Sequence, residues 1–359
     1  MLPKNFTTIK EGVLLKDFTT FRIGGPARFF VDVSTVEELT EALAFAKQED
    51  VATLILGGGS NVLISDEGFD GLVIHPKFLG FEIQGESVHV ASGENWDSVV
   101  KRCVEAGLWG IENLSLVPGD SGGFVMQNVG AYGQQASDVI ESVAVYDIQN
   151  HQSSIINQQS CGFGYRKSIF NTTEKGRYVI LSVDIKLAKN GKPKTEYPDV
   201  KKYLEEKKIT NPTLQEMREV IIEIRTRKGF DPSTRWSAGS FFKNPILTPD
   251  QYKRVREKVA MKFGESMAIQ LEELKNKFTR SSGEIKIPAG FLLDQLLHLK
   301  GMRIGGAELS DKQVISIYNR GNASAVDVLA LYTEVCRLVR DATGITLIPE
   351  PEFVGIQEP

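Results

Sequence analysis

The feature of this sequence that most constrains its fold is the clustering of its glycines. Of 359 residues, 33 are glycine, above the usual share of about 7%. Glycine has no Cβ atom, so it tolerates positive φ angles and lets the backbone approach a ligand closely. Any single cluster is more often an ordinary loop than a binding site. The clusters lie at Gly24–Gly25, Gly57–Gly59, Gly119–Gly123, Gly130–Gly133, Gly162–Gly164 and Gly301–Gly306.

The first third of the chain alternates strands and helices. The runs Phe29–Val33, Val51–Leu56 and Leu72–His75 are rich in aromatic and β-branched residues, which predicts strands. Between the first two strands, apolar residues recur at helical spacing after Thr35, and Glu38 stands three residues later, as in a capping box. The second strand leads directly into three consecutive glycines, so we expect a tight turn where it ends.

Strands dominate the middle of the chain, and helices dominate its last third. Because runs of strands with few helices are typical of an α+β fold rather than a regular doubly wound sheet, we expect the α+β class. The run at 229–232 breaks a helix and predicts a domain boundary. The charged, poorly periodic stretch Leu274–Glu284 predicts a surface loop. Further strands are predicted at 87–91, 143–147 and 179–187, helices at 96–106, 210–227, 249–263, 289–298 and 325–343, and an extended tail at 345–354.

Composition and charge exclude several classes of protein. Lys and Arg number 42, and Asp and Glu number 46, which gives a net charge of −4 and argues against a nucleic-acid-binding surface. No apolar stretch reaches the roughly 18 to 20 residues that a membrane-spanning helix needs. Residues 1–12 lack the basic start and apolar run of a signal peptide. We therefore expect no nucleic-acid partner and no membrane segment.

The cysteines and histidines give no sign of a disulfide or metal site. Cys103, Cys161 and Cys336 are odd in number and far apart, so neither a disulfide framework nor a C-x-x-C metal site is indicated. The four histidines are scattered, and none forms an H-E-x-x-H motif. We expect no bound metal and a reducing, cytoplasmic location.

The glycines at 57–59 form a candidate site for an anionic ligand. Val62 stands where a Rossmann fingerprint needs its third glycine, and the sequence contains no P-loop motif, so an ordinary dinucleotide fold is not expected. The run Gly57-Gly58-Gly59-Ser60-Asn61 still offers consecutive backbone N–H groups, an arrangement that suits a pyrophosphate. An ordinary loop is the competing interpretation.

The string Gly119-Asp120-Ser121-Gly122-Gly123 matches the nucleophile region of chymotrypsin-like proteases. Those proteases need an upstream His and Asp that form a triad with the serine. The two upstream histidines, His75 and His89, have no such setting, and the alternating start of the chain does not suit a double β-barrel. We therefore interpret Pro118–Gly123 as a second glycine-rich turn.

Three further segments could place reactive side chains at a cleft, and each also has a plainer interpretation. Tyr165 and Arg166 beside a tight turn could present a phenol and a cation, or they could belong to a surface loop. Ser240 could donate a proton if a neighbouring cation and amide tune its hydroxyl, or its segment could be a strand whose phenylalanines fill the core. Two prolines flank Glu350 and fix its backbone, which gives a rigid carboxylate or simply an exposed acid near the C-terminus.

Taken together, these segments resemble one family of enzymes, the UDP-N-acetylenolpyruvoylglucosamine reductases, known as MurB. Each segment alone is a weak signal, but they occur in the family's order over nearly the whole chain, which makes their combination specific. The matching segments are Thr20–Gly25, Leu56–Leu63, Pro118-Gly119 with Gly122-Gly123, Gln127–Gly133, Phe163–Phe170, Ala238–Pro245, Ala289-Gly290 with Asp294-Gln295 and Gly301, Gly305–Ala307, and Pro349-Glu350.

The resemblance implies a vanillyl-alcohol-oxidase/PCMH-type FAD-binding fold, with two subdomains that grip the flavin and a separate α+β substrate-binding domain. It implies a first FAD-binding subdomain at 1–78 and a second at 79–229, to which 343–359 returns. The substrate-binding domain would then span 230–342. No histidine lies where the branches with covalent flavin attach it, so we expect non-covalent FAD.

The family reduces the enolpyruvyl ether of UDP-N-acetylglucosamine to the lactyl ether, UDP-N-acetylmuramate, in peptidoglycan precursor synthesis. In the family, hydride passes from NADPH to FAD and from flavin N5 to C3 of the substrate, and C2 is then protonated. The resemblance therefore implies a UDP-N-acetylmuramate dehydrogenase with FAD as cofactor, NADPH as hydride donor and a small sugar nucleotide as substrate. We expect it to be a monomer.

The resemblance also implies roles for individual residues. Ser240 corresponds to the proton donor to C2, and Arg166 and Glu350 correspond to groups that polarise the substrate's carboxylate. Tyr197 resembles the tyrosine that covers the UDP-sugar in the type I branch, and the long interval before Ser240 favours that branch. The other implied substrate contacts are Tyr165, Lys228, Asn244 and Gln295, and the implied cofactor contacts are Gly57, Gly58, Gly59, Ser60, Asn61, Pro118, Gly119, Gly122, Gly123, Asn128, Gly130, Ala131 and Tyr132.

Three positions depart from the family's pattern. Asp120 replaces the usual threonine of the second glycine-rich turn, and because a carboxylate would repel flavin phosphates, it either points away or its contact differs. Lys167 replaces an acid beside the key arginine. Glu352 follows Glu350 closely and could be mistaken for the catalytic acid, but the alignment of the residues after it favours Glu350.

Two other functions are compatible with parts of this pattern. One is a flavin oxidase of the same fold that acts on another small substrate, and such an enzyme would not need a proton donor opposite flavin N5. The other is a non-catalytic protein that binds sugar nucleotides, which should have lost the glycine loop at 57 or at 119. Since both loops and the serine are present, we favour the reductase.

Overall fold

The computed structural model of the chain describes residues 8–231, 233–280 and 282–356. These residues fall into two compact units, neither of which is continuous in sequence. The first unit comprises the described residues of Met1–Leu14, Pro26–Gly59 and Phe69–Asp231, and the second those of Leu15–Gly25, Ser60–Gly68 and Pro232–Pro359. Residues 1–7 and 357–359, at the ends of the first and second predicted subdomains, lie outside the described residues.

The described residues form nineteen strands and eight α-helices. The strands are β1 (Lys10–Leu14), β2 (Pro26–Val33), β3 (Ala52–Ile55), β4 (Val62–Ile64), β5 (Phe69–Pro76), β6 (Phe81–Gln84), β7 (Ser87–Ala91), β8 (Gly130–Ala131), β9 (Gln134–Gln135), β10 (Ile140–Asp147), β11 (Gln152–Asn157), β12 (Tyr178–Lys186), β13 (Trp236–Ser237), β14 (Ile246–Leu247), β15 (Ile285–Lys286), β16 (Arg303–Ile304), β17 (Ala307–Leu309), β18 (Ile317–Asn319) and β19 (Glu352–Val354). The helices are α1 (Val36–Gln48), α2 (Trp96–Glu105), α3 (Ser121–Met126), α4 (Pro198–Lys207), α5 (Leu214–Arg227), α6 (Pro249–Phe263), α7 (Glu265–Phe278) and α8 (Ala325–Thr343).

A four-stranded sheet in the order β1-β2-β5-β3 forms one part of the first unit. β2, β5 and β3 run parallel, and β1 pairs antiparallel at the edge. Parallel strands are normally buried and therefore apolar, and Leu72, Val73 and Ile74 of β5 are fully buried. α1 begins where predicted, because the hydroxyl of Thr35 accepts the N–H of Glu38 at 3.1 Å.

A five-stranded antiparallel sheet, in the order β11-β10-β12-β7-β6, forms the larger part of the first unit. Its core includes Val90 of β7 and Val183 of β12, together with side chains from α2 and α3. Trp96 of α2 and Phe124 of α3 stack with their ring centroids 3.6 Å apart. This stacked pair fixes α3, and with it the chain that leads into α3.

Two helices, α4 and α5, complete the first unit and share a small core. The predicted helix at 210–227 begins at Leu214, because Thr213 and Glu216 form a capping box that sets its first turn. The sequence analysis did not predict α4. It begins with Pro198, a residue suited to the first turn because its missing N–H would have no partner there.

The second unit is built around a core that includes Phe241, Phe242 and Tyr332. The ring centroids of Phe241 and Phe242 lie 5.6 Å and 5.8 Å from that of Tyr332. α6, α7 and α8 contribute to this core, and a sheet in the order β13-β18-β17-β16 belongs to the same unit. Asn319 donates a hydrogen bond to the carbonyl of Phe21 at 3.0 Å, and β4 pairs in parallel with β19, which ties two early segments into this unit.

The structure confirms most of the predicted elements. The six predicted strands correspond to β2, β3, β5, β7, β10 and β12, and five predicted helices correspond to α1, α2, α5, α6 and α8. The predicted loop at Leu274–Glu284 is wrong at its start, because α7 continues to Phe278 and packs Leu271 into the core. The helix predicted at 289–298 is a π-helical turn, Phe291–Leu296. Among the residues that the structure describes, no helix is both long enough and apolar enough to cross a membrane.

A buried ion pair links α2 to α5. Arg218 donates two hydrogen bonds to the carboxylate of Asp97, from Nη1 to Oδ1 at 2.8 Å and from Nη2 to Oδ2 at 2.9 Å. Burial acts to raise the pKa of Asp97, but the bonds from Arg218 and from the N–H of Leu116 outweigh it and lower that pKa. The side chain of Arg218 is only 8% exposed, so it depends on this carboxylate for its counter-charge.

We expect Asp97→Ala to lower the free energy of unfolding of the first unit by about 3 kcal/mol, because it leaves a buried guanidinium without its partner. Asp70→Ala is the control, since Asp70 is 87% exposed and its pair with Arg28 should contribute little. Urea unfolding of the full chain, followed by circular dichroism, measures both losses. Equal losses in the two variants would contradict the importance of burial here.

Candidate active site

The first glycine-rich loop begins where β3 ends. The N–H of Leu56 donates to the carbonyl of Ile74 at 2.9 Å, which continues the pairing with β5 by one residue. Gly57, Gly58 and Gly59 follow, and Gly59 has a φ of +56°, in the left-handed region that glycine adopts without strain. The chain therefore turns directly after the strand, as the sequence predicts.

The second glycine-rich loop lies so close to the first that Gly58 has no room for a side chain. A methyl group built on Gly58 would lie 2.8 Å from the Cα atom of Gly119. One built on Gly122 would lie 3.2 Å from the Cβ atom of Ser92. The groups that the two loops offer to a ligand are therefore backbone N–H groups, and such groups suit the phosphates of a dinucleotide such as FAD.

Backbone hydrogen bonds to the segment before α2 hold the second loop in place. The N–H of Trp96 donates to the carbonyl of Gly119 at 3.0 Å. In the other direction, the N–H of Ser121 donates to the carbonyl of Glu94 and the N–H of Gly122 donates to the carbonyl of Ser92, each at 2.9 Å. The predicted turn at Pro118–Gly123 is wrong for 121–123, which form the first turn of α3 instead.

The carboxylate of Asp120 faces the first glycine-rich loop. Its Oδ1 atom lies 3.1 Å from the position of a Cβ atom on Gly58, and its Oδ2 atom lies 3.6 Å from that position on Gly57. Burial raises the pKa of Asp120 to about 6, although Lys77 and the N–H of Gly58 favour the charged form. The alternative in which Asp120 points away is therefore wrong.

The loop from Asn128 to Tyr132 supports Arg166. Asn128 and Tyr132 both have a positive φ, 40° and 48°. The amide of Asn128 donates to the carbonyl of Gly164 at 2.9 Å, and its oxygen accepts a backbone N–H, so both of its polar atoms already hold loops together. The carbonyl of Gly130 accepts a hydrogen bond from Nη1 of Arg166 at 3.1 Å.

Arg166 lies in a tight turn. The N–H of Gly164 donates to the carbonyl of Lys167 at 2.8 Å, and the N–H of Lys167 donates back at 3.2 Å. Arg166 has a φ of 53°, which is uncommon for a residue with a long side chain and indicates a position fixed by its surroundings. Lys167 is exposed, so the charge that departs from the family's pattern lies in solvent.

Four of the predicted site residues form one cluster in the first unit: Tyr132, Tyr165, Arg166 and Tyr197. The rings of Tyr132 and Tyr197 meet edge to face, with centroids 5.3 Å apart. The guanidinium of Arg166 lies 6.0 Å from the ring centroid of Tyr165, and both residues act electrostatically on the hydroxyl of Tyr197. Residues from three separate sequence motifs therefore meet here.

Lys228 joins this cluster through an ion pair. It caps the C-terminus of α5, and its Nζ atom lies 2.6 Å from Oδ2 of Asp199. Asp199 is in the first turn of α4, two residues after Tyr197, so the pair ties the end of α5 to the tyrosine's helix. An anionic ligand that binds Lys228 would have to share the ammonium group with Asp199 or displace that carboxylate.

The sequence analysis missed Arg225. This buried residue donates from Nε to the carbonyl of Leu116 at 3.2 Å and acts electrostatically on the hydroxyl of Tyr132, so it supports the tyrosine cluster from the core. The signal in the sequence is its spacing, because Arg225 follows Arg218 by two helical turns on a face whose other residues, such as Ile221, are apolar and buried.

In the second unit, Ser240 and Glu350 lie on two paired backbone segments. The N–H of Glu350 donates to the carbonyl of Phe241 at 2.8 Å, and a further backbone bond at 3.0 Å continues the pairing. The amide of Asn61 donates to the carbonyl of Glu350 at 3.2 Å. A residue from the first glycine motif therefore helps to hold the segment of the predicted catalytic acid.

Two buried phenylalanines anchor the segment of Ser240. Phe241 and Phe242 are 0% and 1% exposed, so the interpretation of this segment as a strand with core phenylalanines is correct for these two residues. Ser240 itself is only half-buried, and Gly239 before it has a φ of +74°. The core thus fixes the backbone on one side of the serine, while its hydroxyl lies outside the core cluster.

The structure distinguishes Glu350 from Glu352. The N–H of Glu352 donates to the carbonyl of Asn61 at 2.9 Å as β19 begins, whereas Glu350 bonds to the residue after Ser240. Backbone pairing therefore supports the choice of Glu350.

Three other predicted residues lie elsewhere in the second unit. The Oδ1 atom of Asn244 accepts the N–H of Ala289 at 2.8 Å, Gln295 is exposed on the π-helical turn, and Ser60 is half-buried. The second unit contains the predicted site residues Ser60, Asn61, Ser240, Asn244, Gln295 and Glu350, and the first unit contains the others.

Two family models match the chain. The model described as UDP-N-acetylenolpyruvoylglucosamine reductase, C-terminal domain, matches residues 231–354. The model described as FAD binding domain matches residues 27–150, which include both glycine-rich loops.

Curated relatives match over almost the full length. The UDP-N-acetylenolpyruvoylglucosamine reductase of Streptomyces coelicolor is 37% identical over 348 residues, which cover 95% of this chain and 89% of the relative. The enzyme of the same name from Flavobacterium johnsoniae is 36% identical over 353 residues, which cover 96% and 99%. The crystal structure of UDP-N-acetylenolpyruvylglucosamine reductase from Thermus caldophilus aligns with a TM-score of 0.66 and 28% identity, and the alignment covers 97% of this chain and 100% of that chain. These matches confirm the predicted α+β fold with FAD binding.

We expect Gly58→Ala to weaken FAD binding by at least about tenfold, because the added methyl group meets the backbone of Gly119 and forces the loops apart. Gly80→Ala is the control in the same unit, since its methyl group would meet Ala91 at an ordinary 3.7 Å. Fluorescence of released flavin measures the dissociation constant for both variants, and circular dichroism checks their folding. Unchanged affinity in folded Gly58→Ala would show that the close approach is not needed.

Proposed function

Because the chain belongs to the UDP-N-acetylenolpyruvoylglucosamine reductase family, we propose that it reduces UDP-N-acetylglucosamine enolpyruvate to UDP-N-acetylmuramate for peptidoglycan precursor synthesis. The observation that carries this proposal is the pairing of the Ser240 and Glu350 segments, 2.8 Å apart at their first hydrogen bond. Both segments fall within the part of the chain that matches the reductase's C-terminal model. An oxidase of the same fold would not need a proton donor and an acid held in this way.

FAD is the cofactor, and the residues present fit it. Gly58 meets Gly119 without room for a Cβ atom, so backbone N–H groups of 57–61 and those of Gly119 and Gly123 would hold the pyrophosphate without a covalent link. The loop at 128–132 would complete the site. When bound, FAD supplies the hydride that C3 of the enolpyruvyl group receives, and NADPH is the donor that restores it.

Ser240 is the group that we propose as proton donor to C2. Its hydroxyl can act only if it is held at a fixed position relative to the substrate. The buried rings of Phe241 and Phe242 provide that fixation, and the left-handed Gly239 brings the chain into the segment.

Arg166 and Glu350 are proposed to stabilise the charge that develops on the substrate's carboxylate side. A guanidinium suits a carboxylate because its donors form a planar fork, and Arg166 is held in advance by the carbonyl of Gly130. Groups that are already oriented stabilise a transition state without further reorganisation. Glu350 is fixed by two flanking prolines and by its bond to Phe241.

The UDP-sugar is proposed to bind mainly through the tyrosine cluster. Tyr165 and Tyr197 offer ring faces and hydroxyls, and Lys228 offers a cation to the phosphates. Asn244 and Gln295 are proposed as further sugar contacts. The position of Tyr197 directly before α4 supports the type I branch, in which a tyrosine covers the sugar nucleotide.

We also propose the three-part division into an FAD-binding subdomain at 1–78, a second at 79–229 with 343–359, and a substrate-binding domain at 230–342, although 15–25, 60–68 and the described part of 343–359 pack within the second compact unit. A cytoplasmic, monomeric enzyme is proposed as well. The three cysteines, Cys103, Cys161 and Cys336, are buried and unpaired, as expected in a reducing compartment.

The proposed function is tested by the visible absorption spectrum of the purified protein under anaerobic conditions. We expect flavin bands that bleach on addition of NADPH and return on addition of UDP-N-acetylglucosamine enolpyruvate. Bands that return only with oxygen would favour an oxidase. No flavin bands, even after reconstitution with FAD, would contradict the function and reopen the interpretation as a binding protein.

We expect Ser240→Ala to leave the bleaching of flavin by NADPH unchanged and to slow the return of the bands with substrate by about 10²- to 10⁴-fold, because the proton donor is lost. Stopped-flow absorbance separates these two half-reactions. Ser282→Ala, which removes an exposed hydroxyl of the same unit, is the control. Equal slowing of both half-reactions would overturn the role assigned to Ser240.

A further inference from the structure

The side chain of Asp120 does not cap the helix that follows it. It stands at the N-cap of α3, where an aspartate usually accepts a backbone N–H of the first helical turn, yet its side chain makes no such hydrogen bond. The carboxylate instead faces the first loop, with its Oδ1 atom 3.1 Å from the position of a Cβ atom on Gly58, and the N–H of Gly58 favours its charged form. It therefore lies beside a donor of the loop that would hold the pyrophosphate of FAD.

The surroundings of Asp120 contain little positive charge. Lys77, just after β5, acts on it through space, but no cation lies within 4.0 Å of the carboxylate among the described residues. Glu94, on the segment that holds the second loop, directs its own carboxylate to the N–H of Gly80 at 2.9 Å and lies near Arg102. The negative charge of Asp120 is thus opposed by burial and only weakly compensated.

We propose that Asp120 competes with the pyrophosphate of FAD for the N–H groups of the first glycine-rich loop, so that loss of its negative charge strengthens flavin binding. This inference rests on the proposed function only through the binding of FAD. A pyrophosphate carries two negative charges near neutral pH, and a carboxylate beside it is repelled in a site of low dielectric. Protonation of Asp120 removes this repulsion.

The proposal has a pH dependence with a definite sign. Asp120 of the flavin-free protein loses its proton as the pH rises through about 6, and bound FAD raises that pKa further. Between these two pKa values each binding event takes up a proton, so the dissociation constant for FAD rises with pH, by about tenfold per unit at most. FAD itself does not change charge in this range.

The test is release of FAD from the diluted holoenzyme, followed by flavin fluorescence between about pH 5.5 and about pH 8. We expect the dissociation constant of the native protein to rise by at least about tenfold across this range. Asp120→Asn should bind FAD more tightly than the native protein at the upper end and show a flat profile. Asp70→Asn, which removes an exposed carboxylate of the same unit, should follow the native profile.

Isothermal titration of the full-length, flavin-stripped protein with FAD, in two buffers of different ionisation enthalpy, measures proton uptake without any variant. We expect uptake near neutral pH in the native protein and in Asp70→Asn. The inference is overturned if binding takes up no proton, if Asp120→Asn keeps the native slope, or if that variant binds FAD more weakly. Absence of FAD binding at every pH would overturn the proposed function as well.

Discussion

The first unit depends on one close approach of backbone to backbone. A Cβ atom on Gly58 would lie 2.8 Å from the Cα atom of Gly119. The two loops can therefore approach this closely only if residue 58 is a glycine. The pairing of β3 with β5 fixes one loop, and hydrogen bonds to the start of α2 fix the other. The stack of Trp96 on Phe124 holds the helix that follows the second loop. The loops can therefore offer backbone donors to a ligand, beside the carboxylate of Asp120 that faces the first loop.

In the second unit the proposed site residues Ser240 and Glu350 would contribute side chains rather than backbone groups. Phe241 and Phe242 are deeply buried, and the pairing of their segment with that of Glu350 lets the core fix the acid and the serine together. Arg166 in the first unit is fixed differently, by a left-handed turn and the carbonyl of Gly130. In the second unit the proposed reactive groups lie next to anchored residues, whereas Arg166 is itself anchored.

Much of the fold could be predicted from the sequence, because glycine clusters and apolar periodicity report backbone constraints that act locally, and the structure brings four of the predicted site residues together in one cluster. The end of α7, which was predicted as part of a loop, was hidden by its charges, although the helix packs Leu271 into a core formed by distant segments. Arg225 was missed because its role depends on Tyr132 and Leu116, which are far away in sequence. The direction of the Asp120 side chain depends on the contact between two loops, which local patterns do not contain.

The acids of the first unit show why Asp120 is unusual. Asp97 accepts two hydrogen bonds from Arg218, and Glu112 accepts one from Gln134 at 2.8 Å, whereas only the N–H of Gly58 and the more distant Lys77 favour the charged form of Asp120. Because folding raises the pKa of Asp120 from 3.8 to about 6, the folded protein binds this proton more tightly than the unfolded chain does. The flavin-free protein therefore loses stability at this residue as the pH rises through that interval. The burial of Asp120 thus has two linked consequences. The negative charge that we propose weakens flavin binding also lowers the stability of the flavin-free protein.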